Sequence, residues 1–441
     1  MNRNFTLFRI CFPLLITALS LSSCSVNQRI AKKVNREFER STVVNQYHVG
    51  FALYDPESHK MIYGKNEDLY FTPASNTKLF TFYAGLKMIP DSIPSLRYVV
   101  RGDSLIFWGT GDPSFLQSEL KGQRALDFLR NSNKKLYFSA GRYTGPFYGN
   151  GWSWDDYNDY YQAEISELPL MDNMLSVRYE QNKRTVVPAE LNNCLVMDSA
   201  DHSSKFRVVR AFNENVFRYP NTTPPAGYQQ QIPYKTSTVL TLNLLTDTLN
   251  KPVGLVQLPM PADARTIYNM KSDSVFKAMM LPSDNFIAEQ LLLVYSDRLS
   301  PELSASKAIG YVRKNFLGNL PGNASWVDGS GLSRGNLFSP RDMISILDSI
   351  YVTVHDNKRL FSMLPAGGQS GTLKNAYPRT AEPFVYGKTG SLGNVHNQSG
   401  YVLTKKGKVY FYSFLNNNFV LPTSTVRGEM ARIVTYIHEQ F

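Results

Sequence analysis

The pattern of apolar and polar positions changes texture twice along the chain. Residues 30–40 alternate at helical spacing and predict an amphipathic helix. His48–Tyr54 and Lys60–Tyr63 predict two strands joined by the turn Asp55–His59. A helix follows, running to about Met88, with Thr72 as a plausible N-cap and Pro73 at the first helical position. Pro90 and Pro94 mark a boundary. From about Arg97 the chain reads as short strands and turns. These include Tyr98–Arg101, Ser104–Trp108 and Lys135–Ser139, with a helix over Leu120–Asn131. Arg184–Gln231 is the least regular stretch, before a helix over Thr236–Asn250 and a strand over Pro252–Leu258. From Thr266 helical texture returns over Ser274–Met280, Leu281–Tyr295 and Ser304–Leu317, and from Ser339-Pro340 to about His355. Strands over Phe384–Gly387, Gly400–Thr404 and Lys408–Leu415 precede a closing helix, Glu429–Glu439. This succession predicts a multi-domain α+β protein.

The 441 residues leave room for two or three domains, and 43% apolar with 19% charged residues excludes broad disorder. The first 23 residues read as a targeting segment. Arg3 and Arg9 precede the apolar run Ile10–Leu21, which is too short for an ordinary membrane span. Leu21-Ser22-Ser23-Cys24 resembles a bacterial lipoprotein signal. That resemblance implies cleavage before Cys24 and its lipidation; the alternative is an ordinary signal peptide with a chance Cys. Both place the mature protein outside the cytoplasm, on the periplasmic side of the cell envelope. Cys11 leaves with the signal, so Cys194 has no cysteine partner and is expected to be a small buried residue. The charge of +11 suits an anionic surface or wall polymer as well as simple solubility. Export and the lack of a concentrated basic run exclude nucleic acid as the expected partner. The six His are scattered without metal-ligand spacing, so no metal and no cofactor are expected.

Chemistry enters at Ser75 and Lys78. Three apart, they share one face at the positive end of a helix dipole. Ser118/Lys121, Ser132/Lys135 and Ser274/Lys277 repeat the spacing, so spacing alone decides nothing. The order of motifs is more specific. Ser75-Asn-Thr-Lys78 starts a helix, Ser283-Asp-Asn285 lies in a turn between helices, and Lys388-Thr-Gly390 ends a strand. Acyl transfer needs a nucleophile, a base, a proton route and an anion site. Ser75 supplies the hydroxyl. Lys78 can take its proton when neutral, a form favoured by burial and by Lys388 as a second cation. Ser283 offers a relay to the leaving nitrogen. Asn285 offers an amide to orient Lys78 or hold the substrate backbone. The Lys388-Thr389-Gly390 strand can pair with an extended peptide, with Gly390 allowing close approach. The backbone N–H groups of Ser75 and Ser391 are candidates for the oxyanion site.

In these motifs the chain resembles the low-molecular-mass penicillin-binding proteins of the D-alanyl-D-alanine carboxypeptidase/endopeptidase type, peptidase family S13. The step of 208 residues from Ser75 to Ser283 suits the insert this family carries. Gly109-Thr-Gly-Asp-Pro113, Gly151-Trp-Ser-Trp-Asp-Asp156, Asp328-Gly-Ser-Gly-Leu-Ser-Arg334 and Ser370-Gly-Thr-Leu-Lys374 also look like family segments. The resemblance implies a transpeptidase-like domain over 24–96 and 266–441, with an antiparallel sheet flanked by helices. A mixed, β-rich insert would occupy 97–265, in which 184–231 would be a reduced subdomain. It implies an acyl-enzyme at Ser75, Lys78 as base, and Ser283, Asn285 and Lys388 completing the site. Thr389 and Ser391 would hold the terminal carboxylate. Asp156, with Asp155 as a near rival, and Arg334 would grip a diaminopimelate side chain. Peptidoglycan peptides would be the substrate, β-lactams covalent inhibitors, and the lipid at Cys24 a membrane anchor.

Three other readings compete. A β-lactamase needs a glutamate to activate the deacylating water, and Glu289, Glu302 and Glu382 sit in no matching loop. An esterase of the α/β-hydrolase type would use Ser333, because Gly331-Leu-Ser-Arg-Gly335 satisfies the Gly-x-Ser-x-Gly elbow. A catalytically inactive wall-binding lipoprotein on the same fold is the non-enzyme alternative, and three complete motifs argue against it.

Overall fold

The computed structural model describes residues 26–117, 119–181, 183–318 and 320–441. The targeting segment and Cys24 lie outside the described residues. The chain divides into two compact units. One comprises the chain up to Asn76 with Leu320–Ser325 and Leu337–Phe441; the other comprises Thr77–Asn319 and Trp326–Asn336. Among the described residues no helix is long and apolar enough to cross a membrane.

The first unit is built on a five-stranded antiparallel sheet. Its order is Val385–Leu392, Val395–Leu403, Val409–Asn417, His48–Asp55, Lys60–Lys65. A helix over residues 26–40 places Ile30, Val34 and Phe38 in one core with Phe51, Tyr412 and Phe414. Helix Thr423–Gln440 adds Val426, Met430, Ile433 and Ile437 to the same core. The strand residues come from alternate positions and the helix residues recur at three- and four-residue spacing, as one-faced burial requires. Each such side chain contributes about 1.5–3 kcal/mol when buried. Helix Pro340–Val354 takes the opposite strand positions, with the Tyr351 ring 5.1 Å from Phe411. Ser339 caps it through a capping box with Asp342, as Ser339-Pro340 predicts.

The second unit carries a five-stranded mixed sheet ordered Val253–Val256, Lys135–Ser139, Ser104–Gly109, Ser92–Arg101, Arg265–Lys271. Two three-stranded sheets accompany it. One is centred on Met174–Glu180, the other on Phe217–Pro220. Its helical part centres on Lys78–Met88 and Asn285–Asp297. Phe286 to Asp297 is buried at every position, the signature of an interior helix rather than a surface one.

Several elements depart from expectation for local reasons. Thr72 does not cap a helix. Its N–H donates to Asn417 Oδ1 at 2.7 Å and its carbonyl accepts from Asn397 Nδ2 at 2.8 Å, which ties it to the sheet. Ala74–Thr77 then forms a 3₁₀ turn, Ala74 at φ +48°, and the α-helix begins at Lys78. The strand expected to end at Gly387 continues to Leu392, because Val385–Leu392 pairs fully with Val395–Leu403 around a tight turn with Asn394 at φ +64°. The helix expected from Leu281 begins at Asn285, after Ser283 at φ +68° and with Asp284 as N-cap. The helix expected over Leu120–Asn131 spans only Arg124–Arg130. The closing helix begins earlier, at Thr423. The irregular stretch Arg184–Gln231 is built of strands of two to five residues, too short to show periodicity. Cys194 is half-buried.

Candidate active site

In the first unit, residues 72–76 are fastened to the sheet. Besides the bonds of Thr72, Asn76 is fully buried and donates from Nδ2 to Ser399 Oγ at 3.0 Å. Gly390 passes so near this segment that a Cβ there would lie 2.4 Å from Pro73 O and 2.9 Å from Ser75 N. The chain's own backbone at Ser75 therefore already requires glycine at 390. From Pro73 to Gly85 every residue is buried except Ser75. The left-handed Ala74 immediately before it is the kind of local strain that persists where surrounding contacts over-determine it.

Lys388 is fully buried, and its amine donates to Thr389 O at 2.7 Å. Thr389 donates to Thr372 Oγ1 at 2.6 Å. Ser391 Oγ lies 2.8 Å from His396 Nδ1, directly across the strand pair. Burial first, then the charges of Arg427 and Lys388, hold the His396 imidazole down to about 4. Val385–Leu392 is an edge strand. Ala366 bridges its outer side at Tyr386, and Gly387 N–H bonds to Pro365 O, before the Lys388-Thr389-Gly390 run.

In the second unit, Lys78 is fully buried. Its amine donates to Asn285 Oδ1 at 2.6 Å and to Ser330 O at 2.8 Å. Burial is the leading influence and lowers its pKa from the ordinary 10.5 to about 8, against the pull of Asp284, Glu289 and Asp328. Asn285 is oriented in turn, donating from Nδ2 to Tyr161 O at 3.1 Å. Ser283 reaches its place through a left-handed backbone, and Asp284 caps the helix by accepting from Ile287 N–H at 2.8 Å.

The loop over residues 328–335, rich in glycine, is laced from both ends. Glu289 accepts from Gly329 N–H at 3.0 Å and Ser330 N–H at 2.7 Å. Burial, then Asp328, raises the Glu289 carboxyl. Asp328 accepts from Gly331 N–H, Ser333 N–H, Asn336 Nδ2 and Trp152 Nε1, all within 3.0 Å. These two acids hold the Ser330 carbonyl where Lys78 meets it. Neither was picked out from the sequence as part of the site; Glu289 was weighed only as a water-activating base. No sequence signal marked them, since their burial at the loop and on the helix beginning at Asn285 is visible only in the structure.

The remaining predicted residues are placed less uniformly. Asp156 stands beside the Tyr161 phenol, which burial and that carboxylate both push up, and Tyr161 carries the carbonyl bound by Asn285. Asp155 and Arg334 are exposed. Ser333 is 1% exposed, and its Oγ accepts from Gly335 N–H at 3.2 Å. No strand leads into it and no helix follows at once, so the nucleophile elbow fails on geometry. The tryptophans of the segment 151–156 divide. Trp152 is tied to Asp328, while Trp154 is 74% exposed.

Residues 30–439 match the family described as the D-Ala-D-Ala carboxypeptidase 3 (S13) family. The chain is 26% identical over 415 residues to the D-alanyl-D-alanine carboxypeptidase DacB of Haemophilus influenzae, covering 83% of this chain and 85% of that one. Its fold is similar to the crystal structure of penicillin binding protein 4 from H. influenzae, with TM-score 0.73 and 19% identity over 92% of this chain and 99% of that one. A second structure of that protein, complexed with a β-lactam, gives TM-score 0.67 and 18% identity over 93% and 99%.

Proposed function

This chain belongs to the S13 family of D-Ala-D-Ala carboxypeptidases and is a serine-type D,D-peptidase of peptidoglycan, and we propose from that premise that Ser75 is its nucleophile and Lys78 the base. The observation that carries this reading is the buried Lys78 amine, held by Asn285 and Ser330 and lowered to about 8, one turn after a serine left accessible in a buried run. A lysine so placed has an appreciable neutral fraction near neutral pH and can accept the hydroxyl proton.

In this reading Ser75 Oγ attacks the carbonyl of the penultimate D-Ala and Lys78 takes the proton. The oxyanion forms against the N–H groups of Ser75 and Ser391. Ser283 relays that proton from Lys78 to the D-Ala nitrogen as its C–N bond breaks, and water, losing a proton to neutral Lys78, then cleaves the ester, the Ser75 oxygen regaining a proton as it leaves. Asn285 keeps the Lys78 amine aligned. Thr389 and Ser391 receive the terminal carboxylate, and Lys388 completes the catalytic site. Asp156 and Arg334 read the side chain of a diamino acid, with Asp155 an alternative to Asp156. Gly390 belongs to the framework that lets the strand lie against the Ser75 turn. β-Lactams acylate the same hydroxyl. We also propose that the insert lies between 97 and 265, and that lipid on Cys24 anchors the protein on the periplasmic side of the envelope.

The test is covalent labelling. A fluorescent penicillin followed by peptide mapping is expected to mark Ser75 and to be abolished by Ser75→Ala. Labelling elsewhere, or none on folded wild-type protein, sinks the assignment.

A further inference from the structure

A second concavity lies within the second unit, beside the loop that carries Asp156. It encloses about 700 Å³. Its floor is the outward face of the strands Met174–Glu180 and Gln229–Pro233. Leu175 and Val177 point into the core, so Ser176 and Arg178 face out, paired across the strands with Gln231 and Gln229. One wall is Lys205–Arg207 and the other is Asp159-Tyr160.

The walls are braced. Gln230 exchanges two hydrogen bonds with the backbone of Val208, at 2.9 and 2.8 Å. Asn158 Oδ1 accepts from Arg210 N–H at 2.7 Å, and Tyr157 OH donates to Arg210 O at 3.1 Å. The Arg210 side chain is 1% exposed and is spent on backbone carbonyls, including Pro233 O at 2.8 Å and Ala211 O at 2.8 Å. A buried arginine used as a peg fixes the two walls to the floor before any ligand arrives, which lowers the ordering cost of binding.

The charge inside is unevenly spent. Arg207 pairs with Asp159 at 3.0 Å. Glu119 also lines the groove, whose cations outnumber its acids by three to two. Arg178 and Lys205 are exposed and have no ion pair among the described residues. Gln229 and Gln231 add exposed amide donors, and Tyr160, 66% exposed, offers a flat apolar face at the mouth. Two uncommitted cations, amide donors and an accessible ring suit a carboxylate-bearing peptide rather than an apolar or cationic ligand. The groove is continuous with the proposed substrate loop: Asp159 and Tyr160 directly follow the 3₁₀ turn Trp154–Asn158, and the next residue, Tyr161, binds Asn285.

We propose that this groove is a second binding site, which takes the free carboxylates of a peptidoglycan stem peptide beyond the residues at the scissile bond. The proposal rests on the D,D-peptidase reading. It makes the enzyme favour large, carboxylate-rich muropeptides over short D-Ala-D-Ala peptides. The groove adds affinity for the far part of the substrate and takes no part in acylation.

Two measurements on the full chain test it. In the first, Arg178→Ala with Lys205→Ala is compared with wild type on crosslinked muropeptides, on a short N-acylated peptide ending in D-Ala-D-Ala, and on labelled penicillin. The expected result is a KM about five- to tenfold higher for muropeptides, with the short peptide and penicillin acylation unchanged, as loss of two exposed ion pairs implies. Muropeptides with amidated carboxylates should show no difference between the two proteins. In the second, Ser75→Ala protein with and without the two groove substitutions is titrated with the same muropeptides, and the groove variant should bind about five- to tenfold more weakly. An unchanged muropeptide KM or affinity overturns the proposal, as does an equal loss on the short peptide. Absence of penicillin acylation in the wild type removes the Ser75 reading alone, because the binding titration still decides the groove.

Discussion

At the scale of single residues, proton positions carry the testable content. Lys78 is lowered to about 8 chiefly by burial, and its neutral form is the one that can act as base. Acylation by penicillin should therefore rise with pH and level off above about pH 8, falling about tenfold per unit well below it. The same shift bears on stability. A lysine lowered from 10.5 to about 8 holds fewer protons folded than unfolded between those values, so its contribution to stability rises with pH across that window. Lys78→Ala should abolish acylation while circular dichroism stays native; stopped-flow labelling at the wild-type rate would refute the base assignment. His396 makes a separate case. Held down to about 4, it stays neutral above about pH 5, and its 2.8 Å contact with Ser391 Oγ fixes the position of that oxygen. Steady-state kinetics of His396→Ala should show KM for a D-Ala-D-Ala peptide raised about two- to tenfold with kcat little changed, the worth of one neutral hydrogen bond. A fall in kcat at constant KM would instead place His396 in the chemical steps. Ser75, Lys78, Asn285 and Lys388 could be proposed from the sequence because they stand in ordered motifs, and the structure brings two of them, Lys78 and Asn285, to 2.6 Å. Glu289 and Asp328 could not be, because an acid that clamps a loop looks like any surface acid until its burial is known.

At the scale of elements, the motifs gain their meaning from where strands and helices begin and end. The sequence placed Ser75 at a helix start, and the correction is small but physical. Tertiary bonds to Asn397 and Asn417 override the capping tendency of Thr72, and a 3₁₀ turn carries the serine instead. The Lys388-Thr-Gly strand was read too short, although Gly393-Asn394, two residues between Leu392 and Val395, is itself a two-residue hairpin signal that would have set its length. Helix Pro340–Val354 was placed nearly to the residue, since Ser339, Pro340 and Asp342 state its cap in the sequence itself. Gly390 shows what only the assembled elements reveal. Gly390→Ala should destabilise the protein by roughly 1–3 kcal/mol, because its neighbours are backbone atoms with no room to give. Gly310→Ala is the contrast. It lies in helix Ala305–Phe316 with nothing within 4 Å of a Cβ, and should stabilise by about 0.5–1 kcal/mol. Thermal melts and penicillin labelling of both variants check this together: Gly390→Ala should lose both stability and labelling, and Gly310→Ala neither. A Gly390→Ala protein as stable and reactive as wild type would show that the Ser75 turn can yield.

At the scale of the whole molecule, the question is what keeps the enzyme beside its polymer. The chain carries +11 formal charges, and among the described residues no helix can span a membrane. Positive charge alone gives a screened, salt-sensitive attraction that fades beyond about 10 Å at 0.1 M salt. Acyl chains act differently, adding about 0.8 kcal/mol per buried CH₂, and two or more together anchor stably where one alone is marginal. The two mechanisms are separable. Cys24→Ser removes the proposed lipidation site and leaves every described residue unchanged. Expressed in a bacterium with the lipoprotein pathway, the wild type should sediment with membranes and stay there through a wash in about 1 M salt, where charge attraction is screened to about 3 Å. Cys24→Ser should move to the soluble envelope fraction, labelling with penicillin at the wild-type rate. Release of the wild type by the salt wash would assign retention to its charge, and the lipid anchor would then have no role to explain.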